Sequence, residues 1–221
     1  MAVVIILLIL AALIYFKFVR DPKWLRDMYK NRTPEQKKVI RYFLVSGLFR
    51  KKWSDAEYDE FVVKSIPDLK ARAISKIGLD EDQLKEIDPV CMQGYSFKKG
   101  ALQQQGKDGV WRSSLYQITW IFFSDTQVYI YQKDISFRDT QEKEHMEEYF
   151  FKDITNFATT SETVEVECYD KNGKAYMESL NTNKFKLVVP GDSLFCAMTQ
   201  NDATERAIQA MKSKLREKKQ A

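Results

Sequence analysis

Leu115-Tyr116-Gln117-Ile118-Thr119-Trp120-Ile121-Phe122-Phe123 is a run of aromatic and β-branched residues, and Ser124-Asp125-Thr126 follows it directly. Such a run favours an extended, pleated chain, and the short polar triplet after it turns the chain back. Val128–Phe137 resumes the same chemistry and reads as the next strand. This strand–turn–strand unit sets the class of the C-terminal part as antiparallel β, and the neighbouring segments can be read outward from it.

Upstream, Met92–Lys98 reads as a first strand, and Gly100–Gly109, polar and bounded by glycines, as a loop. Downstream, Arg138–Met146 is charged and lacks Gly and Pro, which reads as a solvated loop, and Glu148–Ile154 resumes the β pattern. Thr163–Tyr169 alternates, with Val164, Val166 and Cys168 on one side and Thr163, Glu165, Glu167 and Tyr169 on the other, as a strand with one wet face does. Asn172-Gly173 reads as a type I′ hairpin turn into a return strand, Lys174–Leu180. Phe185–Val189 and Leu194–Met198 follow, split by Pro190-Gly191-Asp192. Asp202-Ala203-Thr204-Glu205 then opens a helix whose Ala207, Ile208, Met211 and Leu215 form one apolar stripe. Its far end is basic, which suits the negative end of the helix dipole. Seven or eight antiparallel strands closed by one amphipathic helix are expected over residues 90–219.

Before Pro89 the period is helical. Thr33-Pro34-Glu35-Gln36 has the residues of a capping box with proline at the first helical position, and the helix is expected to run to about Lys52. Ser54-Asp55-Ala56-Glu57 starts another helix in the same way, with Tyr58, Phe61, Val62 and Ile66 inward and Pro67 as its breaker. Asp68–Ile77 reads as a third, closed by Gly78 in a left-handed cap, and Asp80–Ile87 as a last short one. Residues 33–88 are therefore expected to form a small helical bundle, giving an α+β chain as a whole.

The order of strands closed by a C-terminal helix resembles the pleckstrin-homology-like fold, including its bacterial members. The resemblance rests on Ile121-Phe122-Phe123-Ser124-Asp125-Thr126-Gln127-Val128-Tyr129-Ile130-Tyr131 and on Tyr149-Phe150-Phe151-Lys152-Asp153-Ile154-Thr155, and it covers about residues 91–219. It implies a β-barrel or sandwich with a C-terminal helix. Lipid-binding members place basic residues in the first strand–strand loop, and the nearest equivalents here are Lys98, Lys99, Lys107 and Arg112. Gln103–Gln105 and Asp108 interrupt them, so the phosphoinositide pattern is not matched. Residues 33–88 resemble no family.

The chain begins with an uncharged stretch, Ala2–Phe16, in which only Tyr15 carries a polar side-chain group. Ala2 to Val19 in helical form would span about 27 Å, enough for a thin bilayer. The expected anchor is residues 1–19, with Ala2, Val3, Ile6, Leu10, Leu13 and Phe16 in lipid. A cleaved signal peptide would need charge before the run and small residues after it; here bulky Leu13-Ile14-Tyr15-Phe16 precede Lys17. Residues 17–52 hold twelve Lys or Arg and three acids, so residues 53–221 are net −5 in a chain of +4. Positive charge on one flank of an apolar span marks the cytoplasmic side. The expectation is a single-pass plasma-membrane protein with its N-terminus outside. Residues 20–32 are expected to form a basic juxtamembrane helix, and Lys17, just before it, together with Arg20, Lys23, Trp24, Arg26 and Lys30 is expected to contact an anionic leaflet. The stripe Trp24, Leu25, Met28 and Tyr29 serves either that interface or packing on the helix that follows.

Little in the sequence points to catalysis. The one histidine, His145, stands among Glu144, Glu147 and Glu148 and would need convergent partners to act as base or ligand. Cys91, Cys168 and Cys196 are odd in number and widely spaced, which suits free thiols in a reducing compartment. No zinc-site spacing, nucleophile elbow, phosphate loop or dinucleotide fingerprint occurs, and Asp80-Glu81-Asp82 lacks the spacing of a calcium loop. The basic stretch 17–52 beside an apolar segment suits a lipid leaflet better than nucleic acid. The expected function is a membrane-tethered binding or scaffold protein with a protein partner, no cofactor and no metal. The alternatives are an anchored enzyme with an acidic site and a lipid-headgroup sensor.

Overall fold

Two reciprocal caps start the helices where the sequence places them. In the structure, a computed structural model that describes residues 4–7, 21–45, 52–78, 80, 82, 88–170, 172–199 and 201–220, the Gln36 amide donates to Thr33 Oγ1 at 3.2 Å. The Thr33 amide donates to Gln36 Oε1 at 3.0 Å. Ser54 and Glu57 repeat the arrangement, the Glu57 amide donating to Ser54 Oγ at 3.2 Å and the Ser54 amide to Glu57 Oε2 at 2.7 Å. Each box satisfies N–H groups that a helix start leaves unpaired.

The helices are α1 (Lys23–Met28), α2 (Pro34–Leu44), α3 (Asp55–Ser65) and α4 (Lys70–Ile77). α2 stops well short of Lys52: Val45 is already extended, at φ −93° and ψ 128°. A β-branched residue followed in sequence by Ser46-Gly47 is a weak helix continuation, and that composition outweighs the apolar spacing beyond it. α4 begins two residues later than expected, because the Asp68 carboxylate accepts from the Lys70 amide at 3.0 Å. Gly78 closes α4 in the left-handed conformation, φ 75°. The helix expected over Asp80–Ile87 lies outside the described residues apart from Asp80 and Asp82, and the anchor 1–19 lies outside them apart from residues 4–7, which are helical and exposed. Among the described residues no helix is long and apolar enough to cross a membrane.

Nine strands are described: β1 (Val90–Tyr95), β2 (Gln103–Gln105), β3 (Trp111–Ser113), β4 (Leu115–Phe123), β5 (Gln127–Ser136), β6 (Glu142–Phe150), β7 (Asn156–Tyr169), β8 (Ala175–Val189) and β9 (Asp192–Ala197). All pairs are antiparallel. β1, β4, β5 and β6 form one four-stranded sheet, β7, β8 and β9 a three-stranded one, and β2–β3 a small hairpin inside the β1–β4 connection. Helix α5 (Asp202–Gln220) follows. Asn201 starts it, its side-chain oxygen accepting from the Thr204 amide at 2.9 Å.

Three of these elements correct the sequence reading. The loop expected at Gly100–Gly109 contains β2. The solvated loop expected at Arg138–Met146 is largely β6, which pairs with β5 from Gln127↔Phe150 to Ile135↔Glu142. β5 is buried on both faces, and the backbone groups along its second edge need partners. β6 supplies them, and its charges make it a protected outer edge. β8 runs unbroken through Asn181–Lys184, where a gap was expected, because polar cross-strand pairs sustain it: Thr163 Oγ1 donates to Asn181 Oδ1 at 2.8 Å, and Ser161 meets Asn183 in the same way. The hairpin turn also shifts. The Gly173 amide donates to the Asp170 carbonyl at 3.0 Å, so Gly173, at φ 80°, closes the turn instead of standing at its centre.

The two sheets face each other across a filled interior. Ile121, Phe123 and Ile130 of the first meet Phe157, Phe185 and Leu187 of the second, and Ile208, Met211 and Leu215 of α5 close the end, all at 5% exposure or less. The helices do not close a core of their own. Leu25, Val39, Tyr42, Tyr58 and Ala73 share one buried cluster with Tyr116, Ile118, Phe122 and Tyr131 on the outer face of the four-stranded sheet. The result is three layers: helices, sheet, and a second sheet with α5.

Candidate functional site

α1 is where a basic surface and the folded unit meet. Lys23, Arg26 and Lys30 are exposed on its outer side. Its apolar stripe turns the other way: Leu25 is buried, and Trp24, Met28 and Tyr29 pack half-buried against the helix-and-sheet core. Of the two uses open to the stripe, packing is the one the fold makes. The Trp24 indole lies so close to Gly173, in the β7–β8 turn, that a Cβ there would come within 2.6 Å of it. Asp21 locks the same corner, bonded by Arg41 and by the Tyr29 hydroxyl at 3.2 Å. Lys17 and Arg20 lie outside the described residues.

The four loop cations divide into two pairs. Arg112 is 3% exposed and is a structural residue. Its Nε and Nη2 donate to Asp59 at 2.8 and 2.6 Å, and its Nη1 and Nη2 to Asp108 at 2.9 and 2.7 Å. These contacts hold the Asp108 carboxyl well below its usual range and raise the guanidinium. The Tyr95 hydroxyl joins at Asp59 Oδ1, 2.9 Å. Lys107 belongs to the same clasp through its backbone amide, which donates to Asp55 at 2.8 Å; the Tyr42 hydroxyl donates to that carboxylate at 2.9 Å. Tyr42 and Tyr58 stack 4.3 Å apart beneath it, and burial pushes both phenols up. The group ties α2 and α3 to the β2–β3 hairpin.

Lys98 and Lys99 stand elsewhere, on a surface groove of about 230 Å³ that also takes in Arg138 and Lys143. Lys98 pairs with Asp134 at 2.6 Å, and Arg138 lies 3.4 Å from Asp139. Sequence reading missed Arg138, in the β5–β6 connection, and Lys143, at the start of β6; the density of charge there was the available signal. A larger groove, about 660 Å³, lies between the free edge of β1 and the first turns of α5, walled by Cys91, Gln93, Ala203, Arg206 and Ala207. The Gln93 carbonyl already accepts from the Thr199 amide there, at 3.0 Å.

His145 sits on β6, not in a loop. The strand places Glu144 and Glu148 on the opposite face, so of the neighbouring acids only Glu147 meets the imidazole. Burial pushes the Cys168 thiol up to about 11 and Cys196 to about 12, and partial desolvation raises the exposed Cys91 to about 11, which favours the protonated, poorly nucleophilic form at neutral pH. Among the described residues no three His, Cys, Asp or Glu side chains gather as a metal site would require. Compared with protein-family models, curated proteins and solved structures, the chain finds no match in any of the three.

Proposed function

We propose that this protein is a membrane-tethered binding module. In this reading residues 1–19 cross the plasma membrane with the N-terminus outside. The folded part is cytoplasmic, residues 91–219 form a pleckstrin-homology-like domain, and the chain holds a protein partner without catalysing a reaction. The observation that carries this reading is the filled interior between the sheets, where Phe123, Ile130, Phe157 and Phe185 leave recognition to the outer surface. Two further facts support it. A four-strand meander, a three-strand meander and a closing helix follow in the order that fold family uses. The exposed Lys23, Arg26 and Lys30 directly follow the apolar run, where each cation near an anionic leaflet contributes about 1 kcal/mol.

The test is fractionation with an orientation reporter. Full-length protein should sediment with membranes and leave them only with detergent, and a chain starting at residue 20 should not. A reporter after Ala221 that works only outside the cytoplasm, or full-length protein washed free without detergent, would refute the reading. Affinity capture of the detergent-solubilised protein then identifies the partner.

A second reading, an anionic-headgroup sensor, is favoured by one observation: Lys98, Lys99, Arg138 and Lys143 border a single groove. Its test is flotation of the chain starting at residue 20 with phosphoinositide vesicles, phosphatidylserine vesicles and neutral vesicles. A deeper deletion would be uninformative, because Leu25, Val39, Ile40 and Tyr42 belong to the core. The headgroup reading requires that Lys98→Glu with Lys143→Glu abolish phosphoinositide flotation.

A further inference from the structure

β7 and β8 pair along their whole length, from Asn156↔Val188 to Tyr169↔Ala175, but β9 covers only Lys184–Val189 of β8. Residues 175–183 of β8 therefore have a strand on one side only, among the described residues. The direction of their backbone groups follows from the turn. The Asp170 amide donates to the Lys174 carbonyl at 3.0 Å, which makes 170/174 a hydrogen-bonded pair. Antiparallel alternation then aims the amides and carbonyls of Tyr176, Glu178, Leu180 and Thr182 at β7. Those of Ala175, Met177, Ser179, Asn181 and Asn183 point outward.

This edge lacks the usual protection. The free edge of β6 carries Glu142, Lys143, Glu144, His145, Glu147 and Glu148. Residues 175–183, Ala-Tyr-Met-Glu-Ser-Leu-Asn-Thr-Asn, carry one charge and no proline, and the register with β7 shows no bulge. Met177 is 58% exposed and Tyr176 47%. A long, straight, nearly neutral edge is a template for another strand.

We propose that the occupant is a second copy of this chain, joined by antiparallel pairing of β8 with β8 about a two-fold axis at Ser179. The segment is self-complementary in that register. Met177 faces the partner's Asn181, and Ala175 the partner's Asn183. On the other side of the sheet Tyr176 faces the partner's Thr182, and Glu178 the partner's Leu180, so no like charges meet across the nine residues. A register moved by two residues on one chain, which keeps the same faces together, would bring Glu178 against its own mate, which selects against that slip. The pairing joins two three-stranded sheets into one of six and exchanges backbone bonds at Met177, Ser179 and Asn181 around the axis. It is independent of the membrane reading.

The test is the protein mass of the full chain in mild detergent, by light scattering with the detergent contribution subtracted. The expected mass is two chains. Ser179→Pro removes an outward amide without touching a bond to β7, and proline is accepted on strand edges. It should weaken association about tenfold or more, two backbone bonds being lost at the axis. Met177→Lys, an exposed substitution that leaves the hairpin's packed face alone, should do the same. In a Cys91→Ser background, Ser179→Cys should form an interchain disulfide on oxidation and Asn183→Cys should not; the remaining cysteines, Cys168 and Cys196, are buried. A one-chain mass for the wild type, a two-chain mass that Ser179→Pro and Met177→Lys both leave unchanged, or crosslinking at position 183 but not at 179 would each overturn the proposal.

Discussion

Consider removing charge from the Arg112 clasp in two ways. Asp59→Asn with Asp108→Asn leaves a guanidinium that is 3% exposed with no carboxylate beside it. A buried charge stripped of its partner typically costs about 3–5 kcal/mol. The lower end applies here, because the carboxylates are 42% and 46% exposed and water reaches that side of the clasp. Arg112→Met removes the guanidinium instead. The two carboxylates are free to hydrate, the methionine fills much of the buried stem, and the loss is about 1–2 kcal/mol of net hydrogen bonding. The double carboxylate variant should therefore melt well below Arg112→Met, by roughly 2–4 °C for each kcal/mol between them. The assay is thermal unfolding of the full chain in mild detergent, followed by tryptophan fluorescence; Trp53 and Trp111 lie in the cluster and hairpin that the clasp joins. If Arg112→Met proves as damaging as the double variant, the cost lies in packing and the electrostatic account is wrong.

Three further outcomes are expected. Gly106→Ala should destabilise by about 1–3 kcal/mol in the same melts: its Cβ would stand 2.3 Å from Arg112 Nη1 and 2.6 Å from Asp108 Oδ1, both held fast by their mutual bonds, so the methyl overpacks the site. Trp24→Ala should free α1, seen as faster tryptic cleavage after Lys23 and Arg26 with the melting of the sheets little changed; unchanged cleavage would mean that the contact with Gly173 does not hold the helix. Hydrogen bonding from the Arg72 guanidinium, the largest influence, holds Glu144 at about 2, below its ordinary 4.5. A carboxyl depressed in the folded state adds stability above its unfolded value and loses it as pH falls towards the folded one. Glu144→Gln should accordingly be slightly less stable than wild type at neutral pH, the effect being small because Arg72 is half exposed, and the gap should close between about pH 4.5 and 2. A gap that widens on acidification would contradict this.

What the sequence made legible was local. Thr33/Gln36 and Ser54/Glu57 declare helix starts within four residues, and Ser124–Thr126 declares a turn within three. The hidden parts were decided by distant partners. From Glu142 to Glu148 β6 is polar at every position but Met146, and only the open flank of β5 makes that part a strand. The middle of β8 persists through asparagine–hydroxyl pairs that no propensity reports. The helical layer over the four-stranded sheet did leave a trace. β4 and β5 carry large apolar groups on both faces, Phe122 and Tyr131 as well as Phe123 and Ile130, and a strand apolar on both sides needs cover on both. The candidate groove was half legible: Lys98 and Lys99, at the end of the expected first strand, were already singled out as candidate ligand cations, but Arg138 and Lys143 reach it only through the fold. Arg112 looked like a surface cation because burial depends on α3, more than fifty residues earlier in the chain.

The grip on α1 limits how the protein can move in the tethered state proposed above. The apolar run ends at Val19, and the carboxylate of Asp21 is already bonded to Arg41 and Tyr29 of the folded unit. Two residues of chain reach about 7 Å at full extension. With so short a leash the domain has no room to swing. In that proposed state the domain would meet the bilayer with the α1 corner, where the β7–β8 turn rests on Trp24, and a binding partner would have to arrive sideways along the leaflet or from the side away from it.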